Sequence, residues 1–408
     1  MIVLIAALGA DQPAWPDDRS ASSGEARNLA IFDAAWKTVD RHYYDREARR
    51  KDWIAIGARA RPMAARATDD GDLYLNILWP TLEQLGDSHF SAVPPEPKRR
   101  DDGAPSTVKQ EPVMSSDSAS PPSLGLGFVY QVTRRGGWVV DVARNSPLDL
   151  AGVGPGDVIK QMTIGPPAAG GARFEGLFER ADGTPVKVAY RWVAQVRPGF
   201  ASLRLPSGRL LLRFDHFEVG SVDWLLEQLR SAPPQGVVLD LRQNGGGSVL
   251  EKRRMLGAVL GPGLPVGVRF DGRRTVEKSA GPMIYSGPLA ILVGPNSASA
   301  AEMSAETLRH YGRAVLVGGR TAGSVLISRD FSLPSGGTIQ VPVASFETLD
   351  GERLEGRGLV PDCDISQTLA AIRAGRDLVI EAAERALDAR ASVATNTGGS
   401  WSSACYST

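Results

Sequence analysis

The chain has 408 residues, of which 42% are hydrophobic and 23% charged. That is enough apolar material for two or three buried cores, and it excludes a wholly disordered or collagen-like chain. Lys plus Arg and Asp plus Glu each total 46, so the formal charge is zero and there is no overall basic field to attract nucleic acid. The two cysteines, Cys363 and Cys405, cannot form a multi-bridge disulfide framework or a four-thiolate zinc site. The four histidines, His42, His89, His216 and His310, suit one catalytic imidazole better than a metal cluster.

The opening run MIVLIAALGA is apolar and ends in small residues, like the tail of an export signal, but it lacks a basic n-region. It is about half the ~20 residues that a membrane span requires. The expectation is a leader over 1–24 and a periplasmic or secreted protein, with a cytoplasmic one as the alternative. A helical pattern starts near Glu25, where Leu29, Ile31, Phe32, Trp36, Val39 and Tyr43 form an apolar stripe. A further helix is expected from about Asp70, kinked or split at Pro80. Residues 25–91 therefore read as an N-terminal helical domain. Residues 92–122 are polar and proline-rich and read as a linker.

A β-rich unit is expected over 123–195. Strands at 128–132 and 138–142, a short helix at 147–151, a turn through Gly154–Asp157, and strands restarting at 158–159 and covering 186–192 give it a core of its own. Trp138, Trp192 and Trp224 read as packing residues. From 196 to 391 the pattern becomes strand, helix, strand, helix, strand. A strand pair at 201–205 and 210–214 leads to a helix at 222–229, a buried strand at 236–242 and a helix at 250–260. A strand at 289–293, a helix at 300–311 and a strand at 314–318 follow. This is the signature of a βαβ core and an α/β fold class. The tail 392–408 is rich in Ser, Thr and Gly and reads as disordered.

Four segments can carry chemistry. Pro295-Asn-Ser-Ala-Ser299-Ala-Ala-Glu302 joins a buried strand to a helix, where free N–H groups and the helix dipole stabilise an oxyanion. The same residues also read as a plain helix cap, with Ser297 or Ser299 capping and Glu302 completing a box from Ser299. Asn244-Gly-Gly-Gly247 follows the 236–242 strand and is either an anion-binding turn or a bare tight turn. Leu85-Gly-Asp-Ser-His89 supplies either a general base or a structural histidine. Ser123-Leu-Gly-Leu-Gly-Phe128 is either a carboxylate-binding loop at a strand edge or an ordinary glycine loop.

Together these segments resemble the tail-specific, or C-terminal processing, serine peptidase superfamily known as S41, over roughly Arg27 to Arg390. The stretch Asn145-Ser-Pro-Leu-Asp-Leu-Ala-Gly-Val-Gly-Pro-Gly-Asp-Val158 resembles the PDZ domain inserted in such enzymes. Val238-Leu-Asp-Leu-Arg-Gln-Asn-Gly-Gly246 is similar to the family's strand and glycine turn. Asn296-Ser-Ala-Ser-Ala-Ala-Glu302 is similar to its nucleophile motif, and Asp350-Gly351 with Leu354-Glu-Gly-Arg-Gly358 through Asp362 to its closing motif. The resemblance implies an α/β S41-like core with an N-terminal helical domain and a PDZ-like domain. It also implies Ser299 as nucleophile, oxyanion donors at the N–H groups of Gly246 and Ala300 (Gly247 as alternative to Gly246), and a peptide-binding loop at Gly125, Leu126, Gly127 and Phe128.

The bacterial processing branch of the family uses a lysine base after a Thr-Phe-Gly segment. Here that segment is Thr321-Ala-Gly323, and Ser324 stands at the lysine's position. A hydroxyl cannot replace the amine as general base. The tricorn-type branch instead uses serine, histidine, a second serine and glutamate. By resemblance those roles fall on Ser299, His89, Ser88 and Glu355. The expected function is hydrolysis of peptide bonds in partly unfolded or C-terminally presented proteins by a Ser–His mechanism, with no cofactor or metal. The alternative is an inactive PDZ adaptor that binds peptides.

Overall fold

The computed structural model describes residues 22–95, 128–133, 136–142, 146–164, 172–192, 200–233 and 235–393. Residues 1–21 of the leader, most of the 92–122 linker, Gly125, Leu126, Gly127 and the tail from 394 lie outside the described residues. The chain divides into two compact units. One combines the N-terminal residues with Leu326–Ser345, and the other holds the remainder.

In the first unit, the helix Ser23–His42 opens with a capping box, in which Glu25 N–H donates to Ser22 Oγ and Ser22 N–H donates to Glu25. The expected stripe residues Leu29, Ile31, Phe32, Trp36, Val39 and Tyr43 are all buried. A second helix, Arg46–Ala65, packs against it. The indoles of Trp36 and Trp53 stack with centroids 3.9 Å apart and an interplanar angle of 4°. A methyl group on Gly57 would lie 2.1 Å from the Trp36 ring, so only glycine permits this helix approach. The segment expected to kink or split at Pro80 stays helical through it: a π-helical stretch Asp72–Leu78 runs directly into a short α-helix, Trp79–Glu83, and Leu78 and Trp79 keep right-handed helical dihedrals. The unit's core is completed from far downstream. Strand Ile327–Ser332 and the first part of Thr338–Glu347 form an antiparallel pair, with Ser91–Val93 on the other side of the latter. Leu333, Ile339 and Val341 join the helical residues in one apolar cluster. The sequence reading placed this stretch in the core domain; here its buried side chains complete the helical unit.

The second unit contains two sheets that can be described strand by strand. A five-stranded antiparallel sheet runs Phe128–Thr133, Gly136–Val142, Val158–Ile164, Ala172–Glu179, Pro185–Trp192 in simple sequence order. Phe128, Val139, Leu148, Val153, Phe174, Phe178 and Val188 form its core. Ser146 caps the short helix Pro147–Leu150, accepting from Asp149 N–H. The strand Ala172–Glu179 has no counterpart in the sequence reading.

The other sheet is six-stranded, in the order Cys363–Asp364, Val315–Gly318, Leu289–Val293, Val237–Asp240, Leu210–Phe214, Phe200–Arg204. All neighbours are parallel except the last pair. The central strand Leu289–Val293 is buried at every residue, which explains its unbroken apolar run. Ala290 and Leu292 face the C-terminal helix Leu378–Val393 in a cluster with Val379, Ala382, Ala386 and Leu387. The helices Val219–Arg230, Val249–Leu260 and Ala300–His310 belong to the same unit. This is the α/β architecture expected, and it directs the loops after Asp240 and Val293 to the same end of the sheet, the C-terminal end where such folds place their sites.

Candidate active site

The segment after the central strand is a tight turn into the Ala300–His310 helix. Ser297 is fully buried; its hydroxyl donates to Leu241 O at 2.7 Å and accepts from Gly294 N–H at 3.0 Å. That hydroxyl is committed to holding two strand ends together. Ser299 is half-buried and lies at φ 53°, ψ −118°, a region that non-glycine residues seldom occupy. Of the two serines that sequence alone left as possible caps, Ser299 is therefore the more accessible and the strained one. A serine on a strained strand-to-helix turn has its Oγ lifted clear of the sheet, as in a nucleophile elbow.

The turn is held from both sides. On one side Ala298 N–H donates to Asn244 O at 3.0 Å. On the other, Ala322 N–H donates to Ser297 O at 3.0 Å, and Ser299 N–H donates to Ser324 O at 2.6 Å. Ser324, which stands where the resemblance puts a lysine, is thus hydrogen-bonded directly to the backbone of Ser299.

Glu302 organises this neighbourhood. Its side chain is fully buried. Oε2 accepts from Ser299 N–H at 3.2 Å and Ser324 N–H at 2.9 Å. Oε1 accepts from Gly323 N–H at 2.8 Å and from the Thr321 hydroxyl. Burial pushes the Glu302 carboxyl above its ordinary range, and these four donors pull against that shift. The cap seen in the sequence is present, but its carboxylate also clamps the 321–324 segment. Sequence reasoning missed that role, along with Thr321, whose hydroxyl also accepts from Leu359 N–H at 2.7 Å.

The closing motif docks on the same segment. Gly356 N–H donates to Gly323 O at 2.7 Å, and Thr321 N–H to Leu359 O at 3.1 Å. Glu355 is half-buried, and its Oε2 accepts from Val325 N–H at 2.8 Å.

The glycine turn completes this side of the site. Gly246 lies at φ +100°, and a methyl group there would stand 2.6 Å from Ser299 Cβ, so the turn touches the serine only because it lacks a side chain. Asn244 is fully buried; its Nδ2 donates to Phe214 O at 2.9 Å and its Oδ1 accepts from Gly246 N–H at 2.9 Å. The Gly246 N–H, expected as an oxyanion donor, is therefore engaged by a side chain. Gly247 and Ala300 N–H have no hydrogen-bond partner among the described residues. Gly247 is solvent-exposed, whereas Ala300 opens its helix, where N–H groups have no intrahelical acceptor.

His89 and Ser88 lie in the first unit, after Trp79–Glu83. His89 has φ 64°, and its Nδ1 is 2.6 Å from Ser88 Oγ. Burial lowers the imidazole's pKa from its usual 6.5 to about 4, so the ring is neutral at pH 7. Among the described residues, His89 and Ser299 are the only non-glycine residues with positive φ. In the five-stranded sheet, Phe128 is buried against Phe174 and Phe178, and its strand lies at the sheet's edge. Among the described residues no cluster of three His, Cys, Asp or Glu side chains is placed to hold a metal ion. No helix among them is long and apolar enough to cross a membrane.

Residues 210–365 match the family described as peptidase family S41, and residues 25–79 match the tricorn protease C1 domain. The chain is a serine-type peptidase with an S41-like core. It is 26% identical over 392 residues to the chloroplastic carboxyl-terminal-processing peptidase 2 of Arabidopsis thaliana, covering 85% of this chain and 70% of that protein. It is 27% identical over 375 residues to tricorn protease homolog 1 of Streptomyces coelicolor, covering 85% of this chain but 34% of the homolog. Among solved structures, the photosystem II D1 C-terminal processing protease shares the fold with a TM-score of 0.54 and 21% identity, covering 83% of this chain and 93% of that one.

Proposed function

We propose that this S41 peptidase hydrolyses peptide bonds in partly unfolded or C-terminally presented protein chains by a serine–histidine mechanism. The observation that carries the reading is the pair of strained backbones: only Ser299 and His89 among the described non-glycine residues have positive φ. Such strain costs about 1–3 kcal/mol per residue and persists where it serves a site.

In the proposed reaction Ser299 Oγ attacks the scissile carbonyl while His89 Nε2 accepts the hydroxyl proton. The tetrahedral oxyanion is held by the N–H groups of Ala300 and Gly247. The C–N bond breaks as His89 returns the proton to the leaving amine, and water then hydrolyses the acyl-enzyme by the reverse transfers. For Nε2 to be the base, Nδ1 must carry the proton and donate to Ser88 Oγ, consistent with their 2.6 Å separation. Ser88 then passes its own proton's hydrogen bond to an acceptor, the role given to Glu355. Neutral His89 is competent for this at pH 7. Ser324 at the lysine's position supports the histidine route, because no amine stands there to act as base.

The five-stranded domain is proposed as a PDZ-like module that receives substrate. Its edge strand Phe128–Thr133 supports this, since an extended chain adds to such an edge through main-chain hydrogen bonds. The loop of Gly125, Leu126 and Gly127 would hold a terminal carboxylate. The proposed setting is periplasmic or secreted.

Fluorophosphonate labelling of the purified protein, with and without an unfolded protein substrate, tests the reading. Labelling and cleavage that are lost in both Ser299→Ala and His89→Ala support it. Peptide binding without labelling under any condition would reassign the chain as an inactive adaptor.

A further inference from the structure

A second histidine borders the glycine turn and has no part in the mechanism above. His216 follows the Leu210–Phe214 strand, and the segment 215–217 runs along the turn as a wall. Gly245 N–H donates to Asp215 O at 3.2 Å, Phe217 N–H to Gly246 O at 2.7 Å, and Ser248 N–H to Phe217 O at 2.9 Å. The flanking side chains are accounted for. Asp215 is paired with Arg213 at 2.8 Å and 3.0 Å, and Phe217 is fully buried against Phe214. The His216 imidazole is half-buried and turned onto Gly245: a methyl group there would lie 3.7 Å from Cε1 and 4.0 Å from Nδ1. Among the described residues the ring makes no hydrogen bond, although its backbone carbonyl accepts from Glu218 N–H at 3.0 Å. The next residue along the turn, Gly246, packs on Ser299 Cβ.

We propose that His216 is a specificity-determining residue, donating an imidazole N–H to an acceptor-bearing side chain (Asn, Gln, Asp or Glu) that flanks the scissile bond. The inference rests on the peptidase reading and deepens it. A peptide whose carbonyl is held over the turn must lay a neighbouring side chain beside the wall formed by 215–217. Among the described residues, the polar side chain of that wall without a hydrogen-bond partner is this ring. Once bound substrate covers the half-exposed ring and shuts out water, a donor left unpaired is unfavourable, so a substrate that pairs it gains over an apolar isostere, and sites built to hydrogen-bond a substrate group discriminate strongly against analogues lacking it.

The experiment compares kcat/KM for peptides carrying Gln or Met, and Asn or Leu, on either side of the scissile bond. The wild-type chain is expected to favour the acceptor residue by about tenfold on one side. His216→Phe keeps a planar ring without a donor and should abolish that preference, while the rate of fluorophosphonate labelling at Ser299 stays unchanged. His216→Gln restores an N–H donor and should recover the preference in part, which guards against a simple folding defect. Undiminished preference in His216→Phe overturns the inference and leaves the peptidase reading standing. Loss of labelling in a folded His216→Phe protein also overturns it, by making the ring an actor on the nucleophile. Absence of labelling in the wild-type chain overturns the peptidase reading and this inference with it.

Discussion

The two strained residues sit in unlike surroundings. Ser299 is held by its whole neighbourhood: its backbone bonds to Ser324 and Glu302, the adjoining Ala298 bonds to Asn244, and Gly246 packs on its Cβ. His89 is held locally by a hydrogen bond to the adjacent Ser88, and its charge state is set by burial. The proposed nucleophile is thus positioned by contacts among three segments of one unit, 244–246, 298–302 and 324. The proposed base is tuned by burial and steered by a sequence neighbour. If this contrast is right, substitutions far from Ser299 in sequence should disturb the nucleophile, whereas His89 should respond mainly to changes at itself and at Ser88.

The largest effects are expected from the two residues themselves. Ser299→Ala and His89→Ala should each lower kcat by about 10⁴-fold, and the double variant should be little worse than either single one, because residues that act as a unit are not additive. Additive losses in steady-state kinetics would break the pairing.

Glu302 comes next. Glu302→Ala leaves the buried N–H of Gly323 and the half-buried N–H of Ser324 unpaired, at roughly 1–3 kcal/mol for the buried one, and removes one of the two acceptors of the Ser299 N–H. Activity should fall by about 10²-fold, the scale of a 1 Å misplacement. Both carboxylate oxygens accept, so Glu302→Gln sets an NH₂ group against N–H donors and should not rescue. Thermal melts beside kcat separate lost positioning from lost fold. The pH sign is informative as well. Burial raises the Glu302 pKa, so ionising it costs stability, and that cost disappears as pH falls through the raised value. The four donors nonetheless need the ionised form, so activity and stability should move in opposite directions across that range.

Ser324 allows a direct test of where the base comes from. Because its carbonyl is bonded to Ser299 N–H, a lysine side chain introduced there starts beside the nucleophile. Ser324→Lys in the His89→Ala background should recover about tenfold of the lost rate by supplying a different base. No recovery in a folded protein would show that the 321–324 segment does not aim its side chain at Ser299.

What the sequence made legible follows the same contrast. The buried strands at 237–240 and 289–293, their glycine and serine turns and the following helix announce themselves by unbroken apolar runs and by punctuation. The helix Arg46–Ala65 does not, because charged residues interrupt its apolar face, Gly57 and Pro62 weaken its propensity, and its burial depends on Trp53 stacking on Trp36. The 326–345 stretch looked like part of the core domain because no local pattern reveals that Ile339 and Val341 pack with the N-terminal helices. At the site, Glu302 reads as a cap since its Ser299 contact is three residues away, while its partners at 321, 323 and 324 are distant in sequence. Asn244 capturing the Gly246 N–H is hidden for a different reason: it is a side-chain contact inside a turn whose composition alone left an anion site and a bare tight turn both open.

The smallest effects probe the local side of the contrast. With His89 shifted down to about 4, the acid limb of kcat/KM should lie well below the usual 6.5, since the ring stays neutral and able to accept a proton until that lower pH. The same shift makes the unfolded chain take up its proton first, so this residue's contribution to stability is full above 6.5 and is lost as pH falls toward 4. Ser88→Ala removes the Nδ1 partner but leaves the burial that sets the pKa. It should lower kcat only several-fold, by loosening the ring and its tautomer, with the acid limb almost unmoved. A limb that returns to near 6.5 in Ser88→Ala would mean that the serine, rather than burial, governs the imidazole, and the base would then be held by a network as the nucleophile is.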